Sequence, residues 1–210
     1  MEEIVGYVQN MPVASLIFGI TLISSFIAFS NPHIFNSWKL NPYNFVHHRK
    51  YYTVITSGLI HGDYMHLIFN MLTFYYFAFA CEAEMGSFLF AALYLISLVT
   101  SDISTIIKYR DTPSYSSLGA SGAITAVIFA MIIFRPDMQM GLIFLPIMVP
   151  GPVFGLVYIL FTMYAGKRGQ GNINHFAHLW GAATGVVFTL LLFPDRFLFF
   201  VKSLPGMLHL

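Results

Sequence analysis

Between residues 4 and 38 no Lys, Arg, Asp or Glu interrupts the chain, and 11–29 alone supplies about the 20 apolar residues that cross a bilayer core. A segment of that length and apolarity commits the chain to a membrane, where a helix satisfies its own backbone groups. Further apolar runs follow at 61–80, 85–107, 118–134, 147–165 and 175–193. The expectation is an all-α, polytopic membrane protein: a single six-helix bundle over residues 1–210 with short termini and no internal repeat.

Composition agrees. Of 210 residues 57% are apolar and 9% charged, against roughly a quarter charged in soluble domains. A net charge of +1 leaves no basic patch for nucleic acid, so lipid and membrane proteins are the expected partners. The single Cys81 forms no intrachain disulfide and reads as a small buried hydrophobe. Glu2 and Glu3 precede the first run, where a signal peptide would carry basic residues, so that run is expected to be a retained span.

Between the first two runs, 32–52 holds Pro32, Pro42, Trp38, three tyrosines and His47-His48-Arg49-Lys50, a composition suited to the headgroup layer. It reads as a long interfacial loop. Pro146, Pro150 and Pro152, with Gly151 and Gly155, interrupt helical bonding near the start of the fifth run. The tail after Pro194 carries an apolar patch at 197–201, too short to cross and expected to lie along the surface.

Polar groups inside a span are costly unless they pair or work. His66, Asn70, Ser121 and His178 all fall in the first turns of the even-numbered runs, which start from one membrane face. Ser121 lies in Gly119-Ala120-Ser121-Gly122-Ala123. Taken alone, such a serine simply lets helices approach, and a lone His178 could be a core histidine bonded to a carbonyl. The two small-residue stripes, Gly122/Ala126/Ala130 and Gly181/Gly185, are nevertheless what the fourth and sixth runs need to bring Ser121 within reach of His178, as nucleophile and general base. His66 and Asn70 share a helical face. With the Ser121 N–H at a helix start they make candidate oxyanion donors.

These stretches resemble the rhomboid family of intramembrane serine proteases. The likeness is carried by the stretch 56–71, containing His61, His66 and Asn70, by Glu82 with Gly86, by the Gly119–Ala123 segment, and by His175-Phe176-Ala177-His178-Leu179-Trp180-Gly181 with Gly185. The resemblance implies a Ser121–His178 dyad without a third acid, an oxyanion site of His66, Asn70 and the Ser121 backbone, and no cofactor or metal. It further implies cleavage of transmembrane protein substrates, in a bacterial cytoplasmic membrane, at a site open to the extracytoplasmic face with the N-terminus inside. Charge counting points the other way: Lys39, Arg49, Lys50, Lys108, Arg110, Lys167 and Arg168 fall in the odd-numbered loops and only Arg135, Arg196 and Lys202 opposite. The resemblance is preferred for orientation.

Two positions depart from the family pattern. Tyr52-Thr53 stands where bacterial relatives often carry Trp-Arg. Thr125 stands one turn after Ser121, where many carry a tyrosine that stacks beneath the histidine, which leaves the support of His178 open. Asp63 and Asp102 are the carboxylates near enough in depth to orient it, and Glu82, three turns below Asn70, reads as a structural group. The rival readings are a histidine-ligated metalloenzyme using His61, Asp63, His66, His175 and His178, and an inactive rhomboid-like protein that binds membrane clients. The glycine-rich connection 166–174 reads as a lid over the site.

Overall fold

The computed structural model describes residues 2–141, 147–168 and 174–208. Helix α1 (Glu2–Asn10) leads into α2 (Pro12–Ser30), followed by α3 (Pro32–Trp38), α4 (Pro42–His47) and a short α5 (Thr53–Thr56). The bundle continues with α6 (Tyr64–Met85), α7 (Ser87–Tyr109), α8 (Ser121–Phe134), α9 (Gly151–Arg168), α10 (His175–Leu192) and α11 (Pro194–Leu208). The fold is a helical membrane bundle. Extended pairing among the described residues is limited to a two-residue antiparallel pair, β1 (Gln139–Met140) with β2 (Val149–Pro150), and an isolated bridge between Leu40 and Ser117.

Four helices, α2, α6, α7 and α10, are long and apolar enough to cross a bilayer. The six-span expectation is refined accordingly. Helix α8 has 14 residues, about 21 Å at helical rise against a core of about 30 Å. Helix α9 has 18 residues, diluted by its opening Gly151 and Pro152 and its closing Lys167 and Arg168. The shortness of α8 follows from its surroundings: twelve of its fourteen residues are buried, enclosed by α6, α7, α9 and α10. It is a core helix that other helices shield from lipid. On the outer helices large apolar side chains such as Leu16, Phe161 and Leu191 stay exposed and supply the lipid-facing surface.

Several boundaries move. The second span opens at Tyr64, not at 61, because Asp63 is its N-cap and accepts from the His66 N–H at 2.8 Å. His61 therefore lies in the preceding loop. The helix of the fifth apolar run, α9, opens at Gly151, directly after the strand pair that the prolines terminate. The interfacial loop expected over 32–52 contains α3 and α4. Each starts at an Asn-Pro step in which the Asn side chain accepts from the first-turn amides and the Pro sits at the first helical position, a pairing that favours helix initiation. Helix α11 turns back against α10 and α8. There Arg196 lies 3.8 Å from Glu84, which Arg135 also bonds at 2.5 Å.

Two long-range features hold the bundle. Glu82 of α6 is buried, and its two carboxylate oxygens accept from the Val13 and Ala14 N–H groups at 3.1 and 2.6 Å. Met11 gives α2 no side-chain cap, so a carboxylate on another helix serves the exposed amides and the positive end of its dipole. Between α8 and α10 the small residues permit backbone contact. A Cβ on Gly181 would collide with the Gly122 carbonyl, and one on Gly185 with the Ala126 carbonyl.

Candidate active site

Ser121 is the first residue of α8, the helix that α6, α7, α9 and α10 enclose. The loop that delivers it is fastened on both sides. Leu40 and Ser117 exchange backbone hydrogen bonds at 3.0 and 2.8 Å, the Gly119 N–H donates to the Ser57 carbonyl at 2.9 Å, and the Asn41 amide reaches the Pro113 and Tyr115 carbonyls. Gly119 turns the chain into α8 at φ +106°, where a side chain would be strained and would strike the His66 ring.

His178 sits in the first turn of α10. Asn174 caps that helix, accepting from the Ala177 N–H at 3.2 Å and donating to Thr105 Oγ1 of α7 at 2.6 Å. The cap and the glycine contacts fix α10 in register with α8. His178 Nε2 and Ser121 Oγ are then 2.8 Å apart, in hydrogen-bonding contact.

His66 and Asn70 project from α6 beside the Gly119 turn and line the same open cavity as Ser121 and His178. The Asn70 amide nitrogen is buried and has no hydrogen-bond partner among the described residues. A buried donor in that condition costs stability unless an acceptor arrives, and it lies beside the Gly119 turn that leads into Ser121. The first amides of α8, including that of Ser121, have no acceptor within the helix. All four candidate residues thus converge on one cavity.

The other ionisable groups have different assignments. Asp63 is spent on capping α6. His61 is fully buried with Nδ1 3.0 Å from Ser25 Oγ, and its ring packs edge-on against His66 at 4.9 Å. Burial, then the neighbouring His66, push its pKa down to about 3, with Asp63 pulling the other way. Among the described residues no three His, Cys, Asp or Glu converge as a ligand set. Asp102 lines the cavity, yet neither it nor Asp63 is the hydrogen-bond partner of the catalytic-candidate histidine.

That partner is a residue the sequence reading missed. Tyr158 of α9 places its hydroxyl 3.0 Å from His178 Nδ1, and the two rings lie within 19° of parallel. Thr125 of α8 meets the same hydroxyl at 3.2 Å. A threonine one turn after Ser121 leaves room that a tyrosine from the neighbouring helix fills. Most of the connection read as a lid, 169–173, lies outside the described residues; Gly166 to Arg168 close α9 and Asn174 caps α10.

Comparison with known proteins places this geometry in context. A family model described as Rhomboid domain matches residues 48–195. The chain is 25% identical to "RHOMBOID-like protein 12, mitochondrial" of Arabidopsis thaliana, over 92% of this chain and 63% of that protein. It is 27% identical to "Putative rhomboid protease YdcA" of Bacillus subtilis, over 90% and 93%. With "Presenilin-associated rhomboid-like protein, mitochondrial" of Homo sapiens it shares 31% identity over 63% of this chain and 36% of that protein. The chain thus spans less than two thirds of the plant and human relatives and nearly all of the bacterial one.

Proposed function

The chain belongs to the rhomboid family, and on that premise we propose that it is an intramembrane serine protease that cleaves membrane proteins in or beside a transmembrane segment. The observation that carries the reading is the 2.8 Å contact between Ser121 Oγ and His178 Nε2 inside a polar, open cavity. Ser121 attacks the scissile carbonyl while Nε2 takes its proton, and the ring returns that proton to the leaving amine. The resulting acyl-enzyme is released by a water that His178 activates in the same way. Negative charge on the tetrahedral oxygen is met by the Ser121 N–H, the unpartnered Asn70 amide and the His66 side chain.

The enclosure of Ser121 supports this assignment, because it opens a helix walled by α6, α7, α9 and α10. A serine on an open surface could take any exposed peptide, whereas one walled by apolar helices takes chain that has entered from the bilayer and unwound. Water reaches it through the polar mouth of Asp63, His66 and His175. The proposed setting is a bacterial cytoplasmic membrane with the cavity on the extracytoplasmic side. A fluorophosphonate probe should label the detergent-purified protein, and Ser121→Ala and His178→Ala should each abolish both labelling and cleavage of a single-span reporter. EDTA should leave both unchanged. Cleavage by the Ser121 variant would refute the serine mechanism.

A further inference from the structure

We infer that Tyr158 and Thr125 form a positioning relay that fixes the tautomer of His178, taking the place that a carboxylate holds in a triad; the inference rests on the protease reading above. The argument comes from which atoms can donate. Thr125 Oγ1 lies 2.8 Å from the Ser121 carbonyl oxygen, which can only accept, so the single threonine proton is committed there. The 3.2 Å contact between Thr125 Oγ1 and the Tyr158 hydroxyl must then be donated by the phenol. With its own proton spent, the phenolic oxygen can only accept across the 3.0 Å contact to His178 Nδ1. Nδ1 therefore carries the hydrogen.

In a neutral imidazole the proton on Nδ1 leaves Nε2 bare. Nε2 is the nitrogen 2.8 Å from Ser121 Oγ, so it accepts the serine proton, as a general base must. The four bonds run in one direction and close on the residue where they began. From Ser121 Oγ they pass through both nitrogens of His178, the phenol of Tyr158 and the hydroxyl of Thr125 to the Ser121 carbonyl. Reversing any one bond would leave two protons facing each other or two lone pairs facing each other.

The relay needs no buried charge, which suits a site within a membrane, where an ionised Asp is costly. It also explains why Thr125 fits here. A tyrosine at 125 would fill the space the α9 phenol occupies, while threonine keeps a hydroxyl at the correct distance from both the Ser121 carbonyl and Tyr158. Phe129 and Phe154 flank the Tyr158 ring at centroid distances of 5.9 and 6.3 Å and hold it near-parallel to the imidazole. Thr162, one turn further along α9, is a second hydroxyl beside the phenol; donating to the phenolic oxygen's remaining lone pair, it leaves the polarity unchanged.

Two measurements test the relay. Nitrogen-15 spectra of histidine-labelled protein, taken at mildly alkaline pH with the His178 signals assigned by their loss in His178→Asn, should show a protonated Nδ1 and a bare Nε2. In Tyr158→Phe, which keeps the ring and removes the hydroxyl, those signals should shift towards a mixture of tautomers. The same variant should lower kcat on a single-span reporter by roughly 10²-fold at unchanged KM, with fluorophosphonate labelling slowed in proportion. A His178 found protonated on Nε2 in the parent overturns the relay. So does a Tyr158→Phe protein with parental kcat and parental spectra. A parent that neither labels nor cleaves would sink the protease reading instead, and the spectra would still decide the tautomer.

Discussion

Replacing Gly181 by Ala adds one methyl group at the point where α8 and α10 touch through their backbones. That methyl would lie against the Gly122 carbonyl, far inside the 3.0 Å that real Cβ contacts keep. The neighbour is main chain inside a buried helix and cannot swing aside, so relief requires the helices to part by roughly 1 Å, at a cost typical of overpacking, about 1–3 kcal/mol. Gly181 is one turn from His178 on the same face of α10, so the separation appears almost undiminished in the Ser121–His178 contact. A bond of 2.8 Å then leaves hydrogen-bonding range, and displacement of a reacting group by about 1 Å costs on the order of 10²-fold in rate. Gly181→Ala should therefore lower kcat about 100-fold while unfolding only modestly earlier in a thermal melt in detergent. Gly185→Ala, one turn further from the histidine, should destabilise similarly but slow cleavage less. Parental turnover by Gly181→Ala would refute the claim that this backbone contact sets the catalytic distance.

Asn70→Ala should reduce kcat by roughly 10²-fold with little change in KM, the scale for one oxyanion donor, and His66→Ala should fall in the same direction; parental kinetics in both would remove them from the oxyanion site. Glu82→Gln turns an amide NH₂ toward the Val13 or Ala14 N–H and should cost about 2–3 kcal/mol, read as a lower unfolding temperature with the dyad still reactive to a fluorophosphonate; an unchanged melt would mean the cap contributes nothing. His61, held neutral with a pKa near 3 against 6.5 for the free side chain, gives stability that is complete above about pH 6.5 and lost as pH falls toward 3, because only the unfolded chain takes up the proton. His61→Gln should flatten that acid-side decline in melts between pH 7 and 4.5, and an identical slope would show that another group governs it.

What the sequence disclosed and what it withheld divide by the range of the interactions. Apolar runs place most helices to within a few residues, since hydropathy is a local property. The stripes Gly122/Ala126 and Gly181/Gly185 announce a close crossing because small residues at that spacing have few other uses. His66 and Asn70 share a face by spacing alone. Tyr158 gave no such signal: a tyrosine within an apolar run is ordinary in a membrane helix, and its tie to His178 depends on how α9 leans on α10. The departure at Thr125 did hold the clue, since a missing support implies a substitute. Helices α3 and α4 could have been foreseen from Asn31-Pro32 and Asn41-Pro42, each an N-cap followed by a first-turn proline. The start of α6 was likewise available in Asp63. Hydropathy extended the second run to 61 because it gives no weight to capping chemistry.

The carboxylate that closes the start of α2 has a consequence for how the protein is made. Glu82 is added to the chain 68 residues after Ala14, an interval of roughly 3 to 14 seconds at translation rates of about 5–20 residues per second. Throughout that interval the first span has no partner in the protein for its leading amides, so its N-terminal turn must wait among headgroups and water. Only the arrival of α6 gives those amides their carboxylate partner. Docking of the first span is therefore a late event in assembly, dependent on a helix not yet synthesised when it enters the bilayer, and a chain released before Glu82 would leave the leading amides of α2 without the partner they have in the finished protein.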